Sequence, residues 1–215
     1  MSEIDPRYQE DLTNYTYDYI ELFKNQFTKL ECDTIIKECQ KVCDHYNRMT
    51  KTMSSRPNSV VDDISGMVSP KLKHNMDPQL EEKILAKVHG CYESYARKHF
   101  ILQDMEHLYT RSFKYHHVRP GGGYHVWHTE NMNTGTIERQ MVFHIALNTT
   151  GDEGALEFLN WKRKVKPVRG NIVLWPASWT HVHRGDAMKT MHKHYITGWL
   201  TYSGKGTFKE ARLKK

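Results

Sequence analysis

Two short segments of this sequence carry residues that could bind a metal ion. The first reads YHVWHTE, and in an extended chain its His128 and Glu130 side chains lie on the same side. The second reads WTHVHRG, in which His181 and His183 share a side in the same way. Because the chain has 14 histidines, neither pair is informative alone. Together, two imidazoles and one carboxylate match the facial arrangement that binds non-haem Fe(II) and leaves positions open for a co-substrate and dioxygen.

A lysine further along the chain indicates an anion-binding position. In the predicted strand 193–199, alternation places Lys193, Tyr195, Thr197 and Trp199 on one face. A lysine that shares an aromatic face needs an anionic partner. The alternative is an edge lysine whose ammonium group reaches water.

The first elements that must position these residues are a strand and a helix. Residues 19–27 indicate the strand, and the capping-box pair Thr28 and Glu31 marks the start of a helix that continues to about residue 43. One face of that helix carries three of the four cysteines, namely Cys32, Cys39 and Cys43. We expect buried thiols and, without CxxC pairs, no cysteine-based zinc site. Unpaired thiols suit a reducing compartment, so we expect a cytoplasmic protein.

A long polar region separates this helix from a second one. Residues 45–75 contain several serines, glycines and prolines, which predicts an irregular region with one short strand. Irregular regions of this length are usually functional or mobile. The second helix begins at Asp77 and Pro78, a cap followed by proline in the first turn, and runs to about His99.

The remainder of the chain reads as a β core. Glycines and prolines separate short segments rich in β-branched and aromatic residues, which is typical of an all-β barrel or jelly roll. These segments are Leu108–Val118, Gln140–Leu147, Leu156–Trp161, Asn171–Trp175, Thr180–His183 and Lys193–Thr201.

Length and composition favour one domain with a core of its own. The chain has 215 residues, of which 38% are hydrophobic, and a net charge of +6. No stretch approaches the roughly 20 apolar residues of a membrane span, and the acidic, polar N-terminus does not read as a secretion signal. The modest basic excess permits an acidic partner without naming one.

Four segments together resemble one enzyme family. They are PGGGYHVWHTE at 120–130, GALEFL at 154–159, VRGNIVLWP at 168–176, and HRGDAM at 183–188 followed by KHYITGW. In these segments the chain resembles the Fe(II)/2-oxoglutarate-dependent dioxygenases, within them the prolyl 4-hydroxylase-like branch. The resemblance implies a mainly β fold with supporting helices, a double-stranded β-helix (jelly roll, cupin-like) with the N-terminal helices packed on one sheet. This domain would span residues 19–202, between an N-terminal extension at 1–18 and a basic tail at 203–215.

The resemblance also implies roles for individual residues. His128, Glu130 and His183 are the expected iron ligands and catalytic centre, with glutamate where this branch usually has aspartate. Lys193 is expected to pair with the distal carboxylate of 2-oxoglutarate. His181 then becomes a pocket or outer-shell histidine. Tyr115 is a candidate second contact to 2-oxoglutarate, with core packing as its alternative.

The implied function is hydroxylation coupled to decarboxylation of 2-oxoglutarate to succinate. Fe(II), 2-oxoglutarate and dioxygen are the expected cofactor and co-substrates, with ascorbate as an optional reductant. A prolyl residue of a peptide or protein is the leading substrate, because the motifs resemble those of prolyl 4-hydroxylases and because residues 45–75 could close over an extended chain. The alternatives are a free amino acid or other small molecule, and a non-catalytic metal-binding jelly roll. A nucleic-acid substrate is disfavoured. In the nucleic-acid-demethylating branch an arginine-rich stretch follows the third ligand, and this chain has no such stretch after His183. The sequence leaves the oligomeric state open.

Overall fold

The computed structural model describes residues 17–45, 49–51, 63–68, 76–110 and 112–202. These residues include two α-helices and two short 3-10 helices, the latter at Phe100–Gln103 and Trp179–His181. They also form ten strands: β1 (Glu21–Phe23), β2 (Met49–Lys51), β3 (Asp63–Val68), β4 (Phe113–Val118), β5 (Arg139–Ala146), β6 (Leu156–Phe158), β7 (Arg163–Val165), β8 (Ile172–Pro176), β9 (His183–Gly185) and β10 (Lys193–Thr201).

Both predicted helices are confirmed, together with the caps that begin them. Helix α1 spans Lys29–His45 and helix α2 spans Pro78–Lys98. The N–H of Thr28 donates to Glu31 Oε2 at 2.7 Å, and the N–H of Glu31 donates to Thr28 Oγ1 at 3.2 Å, which completes the capping box. The Asp77 side chain accepts a hydrogen bond from the first turn of α2 at 2.9 Å. Caps of this kind typically stabilise a helix by about 1 kcal/mol each.

The strands form two antiparallel sheets, as the predicted jelly roll requires. The larger sheet has the order β1-β8-β5-β10-β4-β3-β2, and the smaller has the order β7-β6-β9. Strand alternation gives the larger sheet two buried faces. One face packs against both helices through a core that includes Ile35, Ile84, Phe143 and Ile196. The other faces the smaller sheet across a second core that includes Val142, Phe158, Val165 and Trp175.

Several local predictions differ from the structure. The strand expected over 19–27 is confined to Glu21–Phe23. The strand expected over 180–183 is replaced by the 3-10 turn Trp179–His181, after which β9 begins. The described parts of the region 45–75 contain two strands, β2 and β3, where one was expected. The rest of that region lies outside the described residues, and with it the predicted closure over a substrate.

The structure describes all of the predicted buried thiols but little of the predicted chain ends. All four cysteines are free and buried, as expected for the three on α1. The tail at 203–215 and most of the extension at 1–18 lie outside the described residues. Asp18, at the end of the extension, contacts the domain because its carboxylate pairs with Arg163. Among the helices of the described residues, none has the length and hydropathy needed to cross a membrane.

Candidate active site

Three side chains from the two histidine segments converge in one cavity. The cavity has a volume of about 260 Å³, and residues of both sheets line it. Glu130 Oε1 lies 3.5 Å from His128 Nε2 and 3.8 Å from His183 Nε2. One ligand atom from each of the three residues lies within 4.8 Å of the others. The structure therefore brings His128, Glu130 and His183 to the separations that ligands of a single ion require.

The convergence results from main-chain pairing between distant segments. The N–H of His128 donates to the carbonyl of His183 at 3.0 Å, and the N–H of His183 donates back at 2.9 Å. The N–H of Glu130 donates to the Ala177 carbonyl at 3.2 Å. These bonds fix the register of the two segments. Backbone pairing thus sets the positions from which the three side chains extend.

Each histidine is oriented by its other ring nitrogen. The Nδ1 of His128 lies 2.8 Å from the Val126 carbonyl, and the Nδ1 of His183 lies 3.0 Å from the His181 carbonyl. A carbonyl only accepts, so in both rings Nδ1–H is the donor and the lone pair is on Nε2. Both lone pairs are thereby available at the centre of the cluster.

The protonation states suit a divalent cation. Burial and, next, the charge of His128 lower the pKa of His183 to about 4. Burial would raise the pKa of Glu130, but its contacts with the two histidines and with Arg139 outweigh the effect of burial and lower the pKa to about 2. At neutral pH the cluster therefore contains a neutral His183 and an ionised Glu130, the forms in which these side chains bind metals.

Lys193 lines the same cavity near Gly154, which lies four positions before Phe158, the residue of β6 that pairs with His183. Its side chain is buried, and its Nζ donates to the Gly154 carbonyl at 2.6 Å. The Nζ also lies 4.6 Å from the ring centroid of Tyr195, which stacks on His116 at 4.4 Å and on His144 at 4.6 Å. Burial and the charge of Lys193 lower the pKa of His144 well below its usual value. We call this part of the cavity the anion end. It contains one ammonium group and three rings, from Lys193, Tyr195, His116 and His144.

A glycine makes room for the lysine. Gly154 has φ +67°, and a Cβ built there would lie 2.5 Å from Met188 Sδ and 2.9 Å from Lys193 Cδ. A larger residue would therefore meet both backbone strain and the lysine stem.

The two remaining predicted residues lie away from the cavity. His181 lies in the 3-10 turn, where its Nε2 donates to the Asp18 carbonyl at 2.8 Å. Its carbonyl, not its ring, supports His183. Tyr115 packs in the core beneath the helices, and its hydroxyl lies 2.6 Å from His194 Nδ1. Tyr115 thus packs in the core, as its alternative expected, and its contact with 2-oxoglutarate stays a prediction that this placement does not support. The reason is register: Tyr115 pairs with Ile196, which faces the helices, whereas His116 pairs with Tyr195 in the cavity.

Sequence reasoning missed the partners of Glu130. Arg139 Nη1 donates to Glu130 Oε2 at 2.9 Å, and the indole Nε1 of Trp199 donates to the same oxygen at 3.0 Å. Alternation had placed Trp199 on the face of Lys193, but nothing in the sequence pairs either residue with Glu130. His116 and His144 were missed for the same reason.

Comparison with known proteins relates this arrangement of residues to one protein family. Residues 113–201, which include both histidine segments and Lys193, match the family model for the 2OG-Fe(II) oxygenase superfamily. Over these residues the chain is similar to the members of this superfamily. No curated protein matches it by sequence.

Solved structures show the same fold. The viral collagen prolyl hydroxylase vCPH from Paramecium Bursaria Chlorella virus-1, in complex with 2OG, has a TM-score of 0.64 at 16% identity, with 85% of this chain and 95% of that chain covered. A prolyl hydroxylase from Trichoplax adhaerens, in complex with a peptide fragment of the hypoxia inducible factor oxygen degradation domain, has a TM-score of 0.66 at 14% identity, with 86% and 84% covered. The α-ketoglutarate-dependent carbocyclase SnoK from nogalamycin biosynthesis has a TM-score of 0.65 at 13% identity, with 86% and 80% covered. The double-stranded β-helix is thereby confirmed.

The residues present fit the cofactor that the 2OG-Fe(II) oxygenase superfamily implies. Two imidazole nitrogens and one carboxylate oxygen are the donor set of a non-haem Fe(II) site with open positions. The second nitrogen of each histidine is held by a carbonyl, as is usual for metal-binding imidazoles. Fe(II), 2-oxoglutarate and dioxygen are accordingly the cofactor and co-substrates of this family.

Proposed function

We propose that this oxygenase is a hydroxylase in which His128, Glu130 and His183 hold Fe(II) and Lys193 binds the distal carboxylate of 2-oxoglutarate. The observation that carries the proposal is the joint placement of three metal donors and one buried cation in a single cavity. When bound, Fe(II) and its co-substrates supply the oxidising power for a C–H bond while 2-oxoglutarate is converted to succinate and carbon dioxide.

The chain's own residues bind, orient and exclude water. The Lys193 ammonium group would orient the co-substrate by charge pairing in a buried setting, where such pairing is strong. Phe158 and Trp175 pack against the His183 ring, with centroids 5.9 and 5.1 Å away, and cover it from solvent. Carbonyl groups keep both histidines in the tautomer that presents Nε2.

For the substrate, we propose a prolyl residue within a peptide or protein. Two of the structures with the same fold are prolyl hydroxylases, and one of them holds a peptide fragment. The cavity volume supports a side chain as the reacting group. Sites that enclose a whole small ligand usually measure about 300–1,000 Å³, whereas this cavity of about 260 Å³ would also hold the co-substrate.

A small-molecule substrate is the second candidate. The carbocyclase SnoK from nogalamycin biosynthesis shares the fold to the same degree as the prolyl hydroxylases. The fold alone therefore does not choose between the two substrate classes.

Turnover with a substrate panel tests these proposals. The protein, loaded anaerobically with Fe(II), is supplied with 2-oxoglutarate, oxygen and either proline-containing peptides, the same peptides with alanine for proline, or free amino acids. We expect succinate formation that depends on proline within a peptide, and a mass increase of one oxygen atom on that peptide. Turnover with free amino acids only would favour the second candidate. Metal binding without 2-oxoglutarate turnover under any condition would favour the non-catalytic jelly roll.

A further inference from the structure

The two carboxylate oxygens of Glu130 have different surroundings. Oε1 faces the two histidines, at 3.5 and 3.8 Å from their Nε2 atoms. Oε2 accepts hydrogen bonds from Arg139 at 2.9 Å and from Trp199 at 3.0 Å. One oxygen is thus directed toward the candidate iron, and two donors hold the other.

The two donors are themselves fixed. The Arg139 guanidinium lies 3.7 Å from the centroid of the Trp199 ring, and its Nη1 also contacts the Glu130 carbonyl at 3.3 Å. Strands β5 and β10, which carry these residues, are neighbours in the larger sheet, with Arg139 paired to Thr201. We call Arg139 and Trp199 the Glu130 clamp.

We propose that the Glu130 clamp makes this glutamate a one-oxygen ligand. The inference rests on the proposed function. A carboxylate can bind a cation through one or both oxygens, and a second bound oxygen would take a coordination position that an oxygenase must keep open for 2-oxoglutarate and dioxygen. Glutamate has one methylene more than the aspartate usual in the branch that this chain resembles. Arg139 and Trp199 are therefore positioning residues that keep Oε2 away from the metal.

The chain offers a matched control with the same three residue types. The Arg184 guanidinium lies 4.4 Å from the Trp127 ring centroid, and its Nε donates to Glu157 Oε2 at 2.6 Å. Glu157 also pairs with Lys164. This second arrangement of arginine, tryptophan and glutamate lies on the smaller sheet and holds a carboxylate outside the metal cluster.

The test uses Co(II) as the metal probe in the full-length protein under anaerobic conditions. Co(II) affinity, the visible absorption of bound Co(II) and the affinity of the Co(II)-loaded protein for 2-oxoglutarate are measured for wild type, Arg139→Met, Trp199→Phe and Arg184→Met. For Arg139→Met we expect 2-oxoglutarate affinity to fall about tenfold, the scale of a lost hydrogen bond to a charged group. Co(II) affinity should change less than about threefold, and the absorption should change because coordination has changed. Trp199→Phe, which keeps a ring under Arg139, should show a smaller change in the same direction. Arg184→Met should match wild type.

The same Arg139→Met substitution in a Glu130→Asp protein distinguishes a positioning role of Arg139 from a general loss of structure. In Glu130→Asp the shorter carboxylate cannot reach both donors, so adding Arg139→Met should change 2-oxoglutarate affinity less than about twofold. The proposed clamp would be overturned if Arg139→Met lowered 2-oxoglutarate affinity equally in the wild-type and Glu130→Asp proteins. It would also be overturned if the Arg139→Met protein behaved like Arg184→Met. Failure of the proposed function looks different, because wild type itself would then bind Co(II) without binding 2-oxoglutarate.

Discussion

The two ends of the cavity hold their charged groups in different ways. At the metal end, main-chain bonds between the His128 and His183 segments fix the ligands, and Arg139 donates a hydrogen bond to the ionised Glu130 carboxylate. At the anion end, Lys193 is buried against a carbonyl and the Tyr195 ring. The difference shows that the cavity is polarised: one end suits a cation and the other a carboxylate. A dianion that chelates metal at one end and pairs with a lysine at the other matches both.

The largest effect is expected from removing a metal ligand. His183→Ala should lower Fe(II) affinity more than about 100-fold, because the loss of an outer-shell partner alone often costs 10–100-fold. His181→Ala should retain the metal, since only its carbonyl supports His183 and the backbone carbonyl remains. Anaerobic titration with Fe(II) measures both. If His181→Ala lost the metal and His183→Ala kept it, the ligand assignment would be wrong.

Acid should destabilise the metal-free protein mainly through buried histidines. The pKa of His183 is about 4 in the folded chain and about 6.5 when unfolded. The unfolded state therefore binds more protons between these values, and stability falls as pH drops from 6.5 to 4, by up to ~3 kcal/mol for this one group. His144, whose pKa is also lowered, acts in the same direction. The free energy of unfolding, measured with urea at several pH values, should depend less steeply on pH in His183→Gln than in wild type. An unchanged slope would mean that His183 is not the group that titrates.

Removal of the positive charge at the anion end should weaken 2-oxoglutarate binding and leave metal binding unchanged. Lys193→Met keeps the shape of the side chain but removes the ammonium group, so 2-oxoglutarate affinity should fall by about 1.5–3 kcal/mol, the scale of a charged hydrogen bond. Fe(II) affinity should not change, because the metal ligands are at the other end of the cavity. Titration with 2-oxoglutarate in the presence of Fe(II) gives both values. Wild-type 2-oxoglutarate affinity in this variant would remove the role assigned to Lys193.

The comparison also shows how far sequence reasoning reached. The residues of the metal end could be proposed because each pair is close in sequence and strand alternation gives its side. Their role as iron ligands stays a prediction, although the structure brings them together. Assigning Tyr115 required the register between β4 and β10, which depends on long-range pairing and is not visible in local alternation. The clamp on Glu130 could not be predicted for the same reason, since Arg139 lies nine positions after Glu130 in the chain and Trp199 lies 69 positions after it.

The turn before His183 shows a second limit. Its β-branched and aromatic residues favour a strand, but the chain must turn at Trp179–His181 before His183 can pair with His128. Tertiary pairing therefore overrides local propensity at that point.

The smallest effect tests the corrected face of β4. Tyr115→Phe removes only a hydroxyl that lies 2.6 Å from His194 Nδ1 on the helix side of the sheet. We expect the free energy of unfolding to fall by about 1 kcal/mol, the usual net contribution of one hydrogen bond, and 2-oxoglutarate affinity to stay within about twofold of wild type. Urea unfolding and 2-oxoglutarate titration of the same preparation separate the two readouts. His116→Gln, on the cavity face of the same strand and stacked on Tyr195, is the matched variant and should affect 2-oxoglutarate affinity more than stability. A loss of 2-oxoglutarate affinity in Tyr115→Phe as large as that in Lys193→Met would mean that the two faces of β4 do not separate core packing from co-substrate binding.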